Sequence, residues 1–310
     1  MIKAGLLALV LAGPAVAEGL AGQALCAAVW AKVGEGLSGF GRVSAASVGQ
    51  DGDWCVAEAP VLDLEGQYPP DWHMDKLRFR GSALGGIVDG LTLPEGLEVA
   101  VEGLRLVIET GNPQMDWLFA AQSHPNRIDA AAALSWESAE RVLRLEGLSI
   151  DFPGENLVDL SARVIGVDLS SDGAMPMAAA SFALTEADVR ITTHGLFEWY
   201  LLMMLGPLVL PQEGDMDVAA DAIRADLLAL VGELPDTSFE ADSKAAIVAL
   251  IGELPNPSGE LTVALRSEAG IGPTRLGGYA VTGVPATVAE AAPLMGGVTV
   301  DIGWTHGDAP

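Results

Sequence analysis

Apolar residues recur with period two through the middle of the chain, and the period breaks once in each segment. Val99-x-Val101 is followed by Leu104-x-Leu106-x-Ile108, and Leu143-x-Leu145 by Leu148-x-Ile150-x-Phe152. Leu160-x-Ala162-x-Val164 leads into Ile165-x-Val167-x-Leu169, and Phe182-x-Leu184 into Ala187-x-Val189-x-Ile191. Alternation of this kind predicts half-buried strands. The phase slips by one residue at or near Gly103, Gly147, Val164 and Glu186. A slip moves later apolar side chains to the opposite face unless an extra residue bulges out. The expectation is therefore long, bent, mostly antiparallel strands. Either a bulge keeps one apolar face, or the two halves serve two faces of a curved sheet. A further alternative makes some of them pairs of short strands joined tightly.

Other segments follow different periods. Leu20 to Val33 reads as a helix, Met115 to Gln122 as a short helix, and Ile128 to Trp136 as a strand. Ala229-Leu-Val-Gly-Glu-Leu-Pro235 recurs twenty residues later as Ala249-Leu-Ile-Gly-Glu-Leu-Pro255. Leu227, Leu230, Val231 and Leu234, and likewise Ile247, Leu250, Ile251 and Leu254, take the i, i+3, i+4, i+7 spacing of amphipathic helices. Glu260 to Ser267 and Gly296 to Trp304 return to strand. These elements predict an α+β fold in which an amphipathic helical pair packs on the sheet. The expected organisation is a leader at 1–17, a helix and hairpin over 18–70, and a main sheet domain over 71–310 with a helical insertion at 195–256.

Gly195 to Pro211 stands apart. Its only charge is Glu198, and Leu196 to Leu205 is apolar on every side. That pattern predicts a buried helix, too short to span a bilayer and broken at Gly206-Pro207. The hydrophobic core, a partner protein or a lipid-like environment could each cover it. A candidate hydrophobic groove would use Leu196, Phe197, Trp199, Tyr200, Leu202, Met203 and Leu205.

Composition narrows the partners. The 310 residues hold 16 Lys+Arg against 42 Asp+Glu, a net charge of −26. Such a field repels phosphates, so nucleic acid and anionic membrane surfaces are poor partners. An apolar fraction of 50% supplies a core and excludes a disordered acidic chain. With 5% aromatics, two interfacial girdles cannot be built, which counts against an outer-membrane barrel. Lys76, Arg78 and Arg80 share one face of a strand. They pair with carboxylates on neighbouring strands or form a docking strip for an anionic headgroup or acidic partner.

Lys3, the apolar run Leu6–Leu11 and Ala15-Val16-Ala17 form a cleavable secretory signal, so the protein is expected in a periplasm. In that oxidising compartment Cys26 and Cys55 are expected to pair, stapling the first helix to its hairpin. The alternative is two free thiols.

Recognisable catalytic chemistry is sparse. His73, His124, His194 and His306 fall in no metal-ligand spacing, and neither a nucleophile elbow nor a phosphate loop occurs. Gly34-Glu-Gly-Leu-Ser-Gly39 matches a dinucleotide fingerprint formally, but it follows a helix, so it reads as a flexible turn. Asp215-x-Asp217 lacks the rest of a calcium loop. His194 and Glu198 could form an acid–base couple or a helix-start contact. The expectation is a non-catalytic protein without cofactor or metal.

The Leu-x-Leu-x-Gly-Leu strands, such as Leu143 to Ile150, and the passage Thr-His-Gly-Leu-Phe-Glu-Trp-Tyr at 193–200 resemble the AsmA-like and related periplasmic envelope proteins of Gram-negative bacteria. The resemblance spans residues 76–200. It implies envelope maintenance or handling of lipids in a strand-built groove, and brings no catalytic residues. Two functions follow as expectations: binding of a lipid-like ligand, or envelope assembly through a protein–protein interface.

Overall fold

A computed structural model describes residues 20–64, 71–89, 95–108, 110–170, 178, 180–211, 213–283, 285 and 287–307. The leader at 1–17 lies outside them. The fold is mixed α+β around one 13-stranded antiparallel sheet.

Seven long strands form a meander in chain order: β7 (Gly96–Val107), β8 (Ile128–Glu137), β9 (Val142–Phe152), β10 (Asn156–Ile165), β11 (Ala183–His194), β12 (Ser258–Ile271) and β13 (Val298–His306). Two short arms meet β7 on its other side. One is β2 (Ser47–Asp51), β3 (Trp54–Glu58) and β6 (Lys76–Gly81), which pairs residues 97–102 of β7. The other is β1 (Arg42–Ser44), β4 (Val61–Asp63) and β5 (Asp71–His73), which pairs residues 105–107. Residues 18–70 thus contribute strands to the same sheet as the rest.

The register slips where the apolar period slips. Breaks fall between Val101 and Leu104, at Glu146 opposite Ala133/Leu134, between Arg163 and Val164, and between Leu184 and Glu186. In β7, β9 and β11 the bulge absorbs one residue against the preceding or following strand, so the apolar set of those strands stays on one face. Against β12, Ser267–Gly270 lie opposite Thr185 alone, and in β10 Ile165 follows Val164 without a bulge and turns to the other face. Leu143 and Leu145 pair Trp136 and Leu134, while Leu148 and Ile150 pair Ala132 and Ala130, all on the same side. At the first bulge, Gly103 takes φ +67°, its N–H donates to Asp129 Oδ1 at 2.7 Å, and an added Cβ would lie 2.3 Å from Asp75 Oδ2. Arg105 and Arg127 hold that Asp75 carboxylate at 2.8 and 2.7 Å. Only glycine fits this crossing, where β7 changes partners.

The helices begin and end as their sequences dictate. Before α3 (Pro113–Ser123), the Asn112 side chain accepts from the N–H groups of Gln114 and Met115, and Pro113 needs no donor partner there. The repeated segments close α5 (Met216–Glu233) and α6 (Ala241–Glu253) alike. Leu234 and Leu254 share one extended conformation, each donating to the carbonyl three residues back, and Val231 and Ile251 are both buried. Asp215 caps α5 through Asp217 and Val218, so the acidic pair opens a helix. Gly34 and Gly36 lie inside α1 (Gly22–Leu37), so only the end of the glycine-rich run is a turn.

One cluster of fully buried residues sits at one end of the sheet. There α1 lies on the apolar face of β3 and β6, joined by the Cys26–Cys55 disulfide. Cys26, Val29, Cys55 and Phe79 form one cluster with Leu84 of the following turn. At the other end α6 runs along β13. The N–H of Val300 donates to the Ser238 carbonyl and that of Ile302 to Ser243 Oγ, so the outer edge of β13 is capped rather than left as a template for pairing.

Candidate functional site

The two faces of the meander differ completely. Following the cross-strand partners from β7 to β13, one face carries Val99, Ala132, Leu148, Leu160, Val189, Val263 and Ile302 at one level. The other carries small and polar residues: Ala131, Gly147, Ser149, Ser161, Thr262 and Gly303, interspersed with charge.

The sheet bends toward the polar face. A cavity of about 840 Å³ touches all seven strands there, which a flat sheet of that width could not allow. Glu98, Glu146, Asp159, Asp188 and Asp301 line it from the strands, and Glu240 and Asp242 from the start of α6, against Arg190 as its one cation. Leu148, Leu160, Val189 and Val263 of the apolar row also border it, each between two polar-face neighbours in its strand. The small side chains make room for the bend, and the bulges supply it.

The apolar face is therefore convex; Trp136, at one end of β8, is buried on it, but the centre of β8–β12 is not fully covered. Leu148, Ile150, Leu160, Val189, Ile191 and Val263 sit in mid-sheet, flanked by strands on both sides, yet each is only half-buried. A helix layer would bury such positions, as it does at Val298 and Val300 beside α6 and Phe79 beneath α1.

The apolar stretch after β11 joins this face. Gly195, at φ +97°, turns the chain, and an added Cβ would press Trp199 at 3.1 Å. A π-helical turn, Phe197–Leu201, then leads into α4 (Leu202–Val209). Contrary to expectation, the helix continues through Gly206-Pro207 and stops at Leu210, which is extended before Pro211. Nor is it buried all round. Leu196 is buried, and Phe197, Tyr200 and Leu202 are half-buried, but Trp199 is 76% and Leu208 79% exposed, with Val209 and Leu205 following. The reason is that contact comes from one side only. The Tyr200 ring meets Phe152, on the apolar face of β9, at 5.0 Å between centroids, and burial pushes its phenol pKa up. The Met203 side chain lies outside the described residues. None of Leu196, Phe197, Trp199, Tyr200, Leu202 or Leu205 lines the cavity, so the groove residues form a ridge continuing the apolar face rather than a lining.

The remaining candidates resolve as local structure. Lys76 pairs Glu58 at 3.5 Å, Arg78 pairs Glu102 at 3.0 Å, and Arg80 pairs Glu98 at 2.6 Å, with both arginines over the Trp54 ring. The strip lies on the polar face. His194 Nδ1 meets Ser258 Oγ at 3.2 Å, whereas Glu198 accepts from Asn256 Nδ2 at 2.8 Å, so the two do not couple to each other. Among the described residues no group of three or more His, Cys, Asp or Glu is placed to hold a metal ion. No described helix is long and apolar enough to cross a membrane.

Sequence reasoning missed the open convex face. Its signal was present: no helix-forming segment interrupts Glu137 to Ile165, so nothing local was available to cover those strands. No family model and no curated protein matches the chain.

Proposed function

We propose that this is an exported envelope protein that acts without catalysis, by docking on a lipid bilayer surface. The docking element is the convex apolar face of β8–β12 together with the ridge at Trp199–Val209. One observation carries the reading: mid-sheet aliphatic side chains stop short of full burial on a face without charge, continuous with a helix that exposes Trp199 and Leu208. Each such side chain gains roughly 1.5–3 kcal/mol on full burial, so the surface favours an apolar covering. Convexity chooses the covering. A single lipid needs a concave pocket, and the cavity lies on the opposite, polar face. A broad convex surface with a Trp-bearing ridge suits an interface, where an amphipathic ring has both an apolar and a wet side. Export is proposed from the signal at 1–17 and fits the disulfide, since such bonds persist in oxidising compartments.

The test is sedimentation of the exported chain with phosphatidylcholine vesicles. Leu148→Asp with Val189→Asp should weaken binding roughly tenfold or more. Ser161→Asp, on the polar face, should not, with circular dichroism confirming the fold of each. Equal binding by all three, or no binding by the native chain, would contradict the proposal and favour a protein partner on this face.

A further inference from the structure

Resting on that docking reading, we infer that the bilayer recognised is uncharged or zwitterionic at its surface, and that anionic headgroups are rejected. Charge around the apolar surface decides between the two leaflets. From Ile191 to Ile223, the stretch containing the ridge, the sequence has no Lys or Arg and five carboxylates: Glu198, Glu213, Asp215, Asp217 and Asp221. The next cation, Arg224, is committed to Asp221 at 2.6 Å and to the Leu254 carbonyl at 2.9 Å.

Elsewhere the cations are also committed. Thirteen of the described lysines and arginines stand in ion pairs with carboxylates. Of the other two, Arg275 donates to the Gly296 carbonyl and Arg42 lies on β1, at the far edge of an arm. The three-cation strip faces away from the apolar surface, on the cavity side. A peripheral protein that seeks anionic lipid presents basic groups beside its apolar anchor, each worth about 1 kcal/mol near such a surface. Here the sequence around the ridge is acidic, and the whole chain carries −26. Approach to an anionic leaflet therefore loses at long range what the apolar ridge gains at contact. A zwitterionic leaflet leaves the apolar contact unopposed.

Co-flotation of the full chain with two vesicle types tests this. One is phosphatidylcholine alone; the other is an equimolar mixture with phosphatidylglycerol. Each is run at ~10 mM and ~1 M salt, where the Debye length falls from about 30 to about 3 Å. We expect binding to phosphatidylcholine at both salts. Binding to the mixture should be about tenfold weaker at low salt, with the gap closing at high salt. Glu213→Lys with Asp217→Lys should narrow the low-salt gap and leave phosphatidylcholine binding unchanged. Equal or tighter binding to the mixture at low salt would overturn the inference while leaving membrane docking intact. Absence of binding to either vesicle would overturn docking itself.

Discussion

One apolar face runs the length of this sheet, and its two halves meet different fates. Over β3 and β6 a helix lies on it, held by Cys26–Cys55, and Val29 and Phe79 fall to 2% and 6% exposure. Over the centre of β8–β12 the same alternation of Leu, Val and Ile produces the same strands, yet Leu148, Ile150, Leu160, Val189 and Val263 stop at half-burial. Strand pairing needs only the pattern, whereas sealing a face needs a second layer. Among the described residues that layer is supplied at the ends, by α1 and α6, and the middle of the face is covered only in part. The difference separates the part of the molecule that stabilises the fold from the part available for binding.

Truncating a side chain in each half should expose the difference most strongly. Phe79→Ala should cost about 3–5 kcal/mol in equilibrium urea unfolding, the range for a sealed aromatic. Ile150→Ala, on the open half, should cost less, about 2 kcal/mol, because its burial is incomplete. Similar costs at both positions would mean that the middle of the face is sealed after all.

Next in size is the staple. Replacing Cys26 and Cys55 together by Ser should remove about 3 kcal/mol, since the bond restrains a loop of 29 residues in the unfolded chain. Hydrogen exchange should then show α1 losing protection first, with β9–β11 nearly unchanged. Uniform loss across the sheet would instead make the two halves one cooperative unit.

A smaller effect concerns how α6 is fixed to β13. Burial favours the neutral form of Glu253, but the hydrogen bonds from Trp304 Nε1, the Ser258 N–H and His306 outweigh it, and the carboxyl pKa is lowered. A folded-state pKa below the unfolded one adds stability above the ordinary carboxylate value of about 4.3, and that stability is lost as pH falls through the folded value. Glu253→Gln should therefore lower the melting temperature at neutral pH and leave a shallower decline on acidification below about pH 4. An unchanged acid profile would remove Glu253 from the account.

Much of the fold was legible in the sequence, and the reasons are local. The phase slips at Gly103, Gly147 and Glu186 coincide with bulges in their own strands, because a bulge is the cheapest way to keep an apolar face, whereas at Val164 the extra residue is Thr185 of β11 and Ile165 turns to the other face. The repeat at 229–235 and 249–255 encodes one helix ending twice. The cysteines pair as expected. The site was less legible. Leu196 to Leu205 read as buried because apolarity on every side says that water is unfavourable, not what replaces it. Whether Trp199 meets core, partner or lipid depends on Phe152 and on what lies beyond it, which no period in the chain encodes. The sense of the bend was equally hidden: Ala131, Gly147 and Gly303 permit curvature toward the polar face only once the register has brought them together.

Contact between the convex apolar face and lipid is read out by an environment-sensitive fluorophore placed at two adjacent positions of β11. Val189 points from the apolar face and Asp188 into the polar cavity. Single cysteines introduced at each position, with the native disulfide intact, would be labelled and titrated with phosphatidylcholine vesicles. The account predicts a blue shift from position 189 and none from position 188. A shift at 188 alone, or at neither, would contradict it.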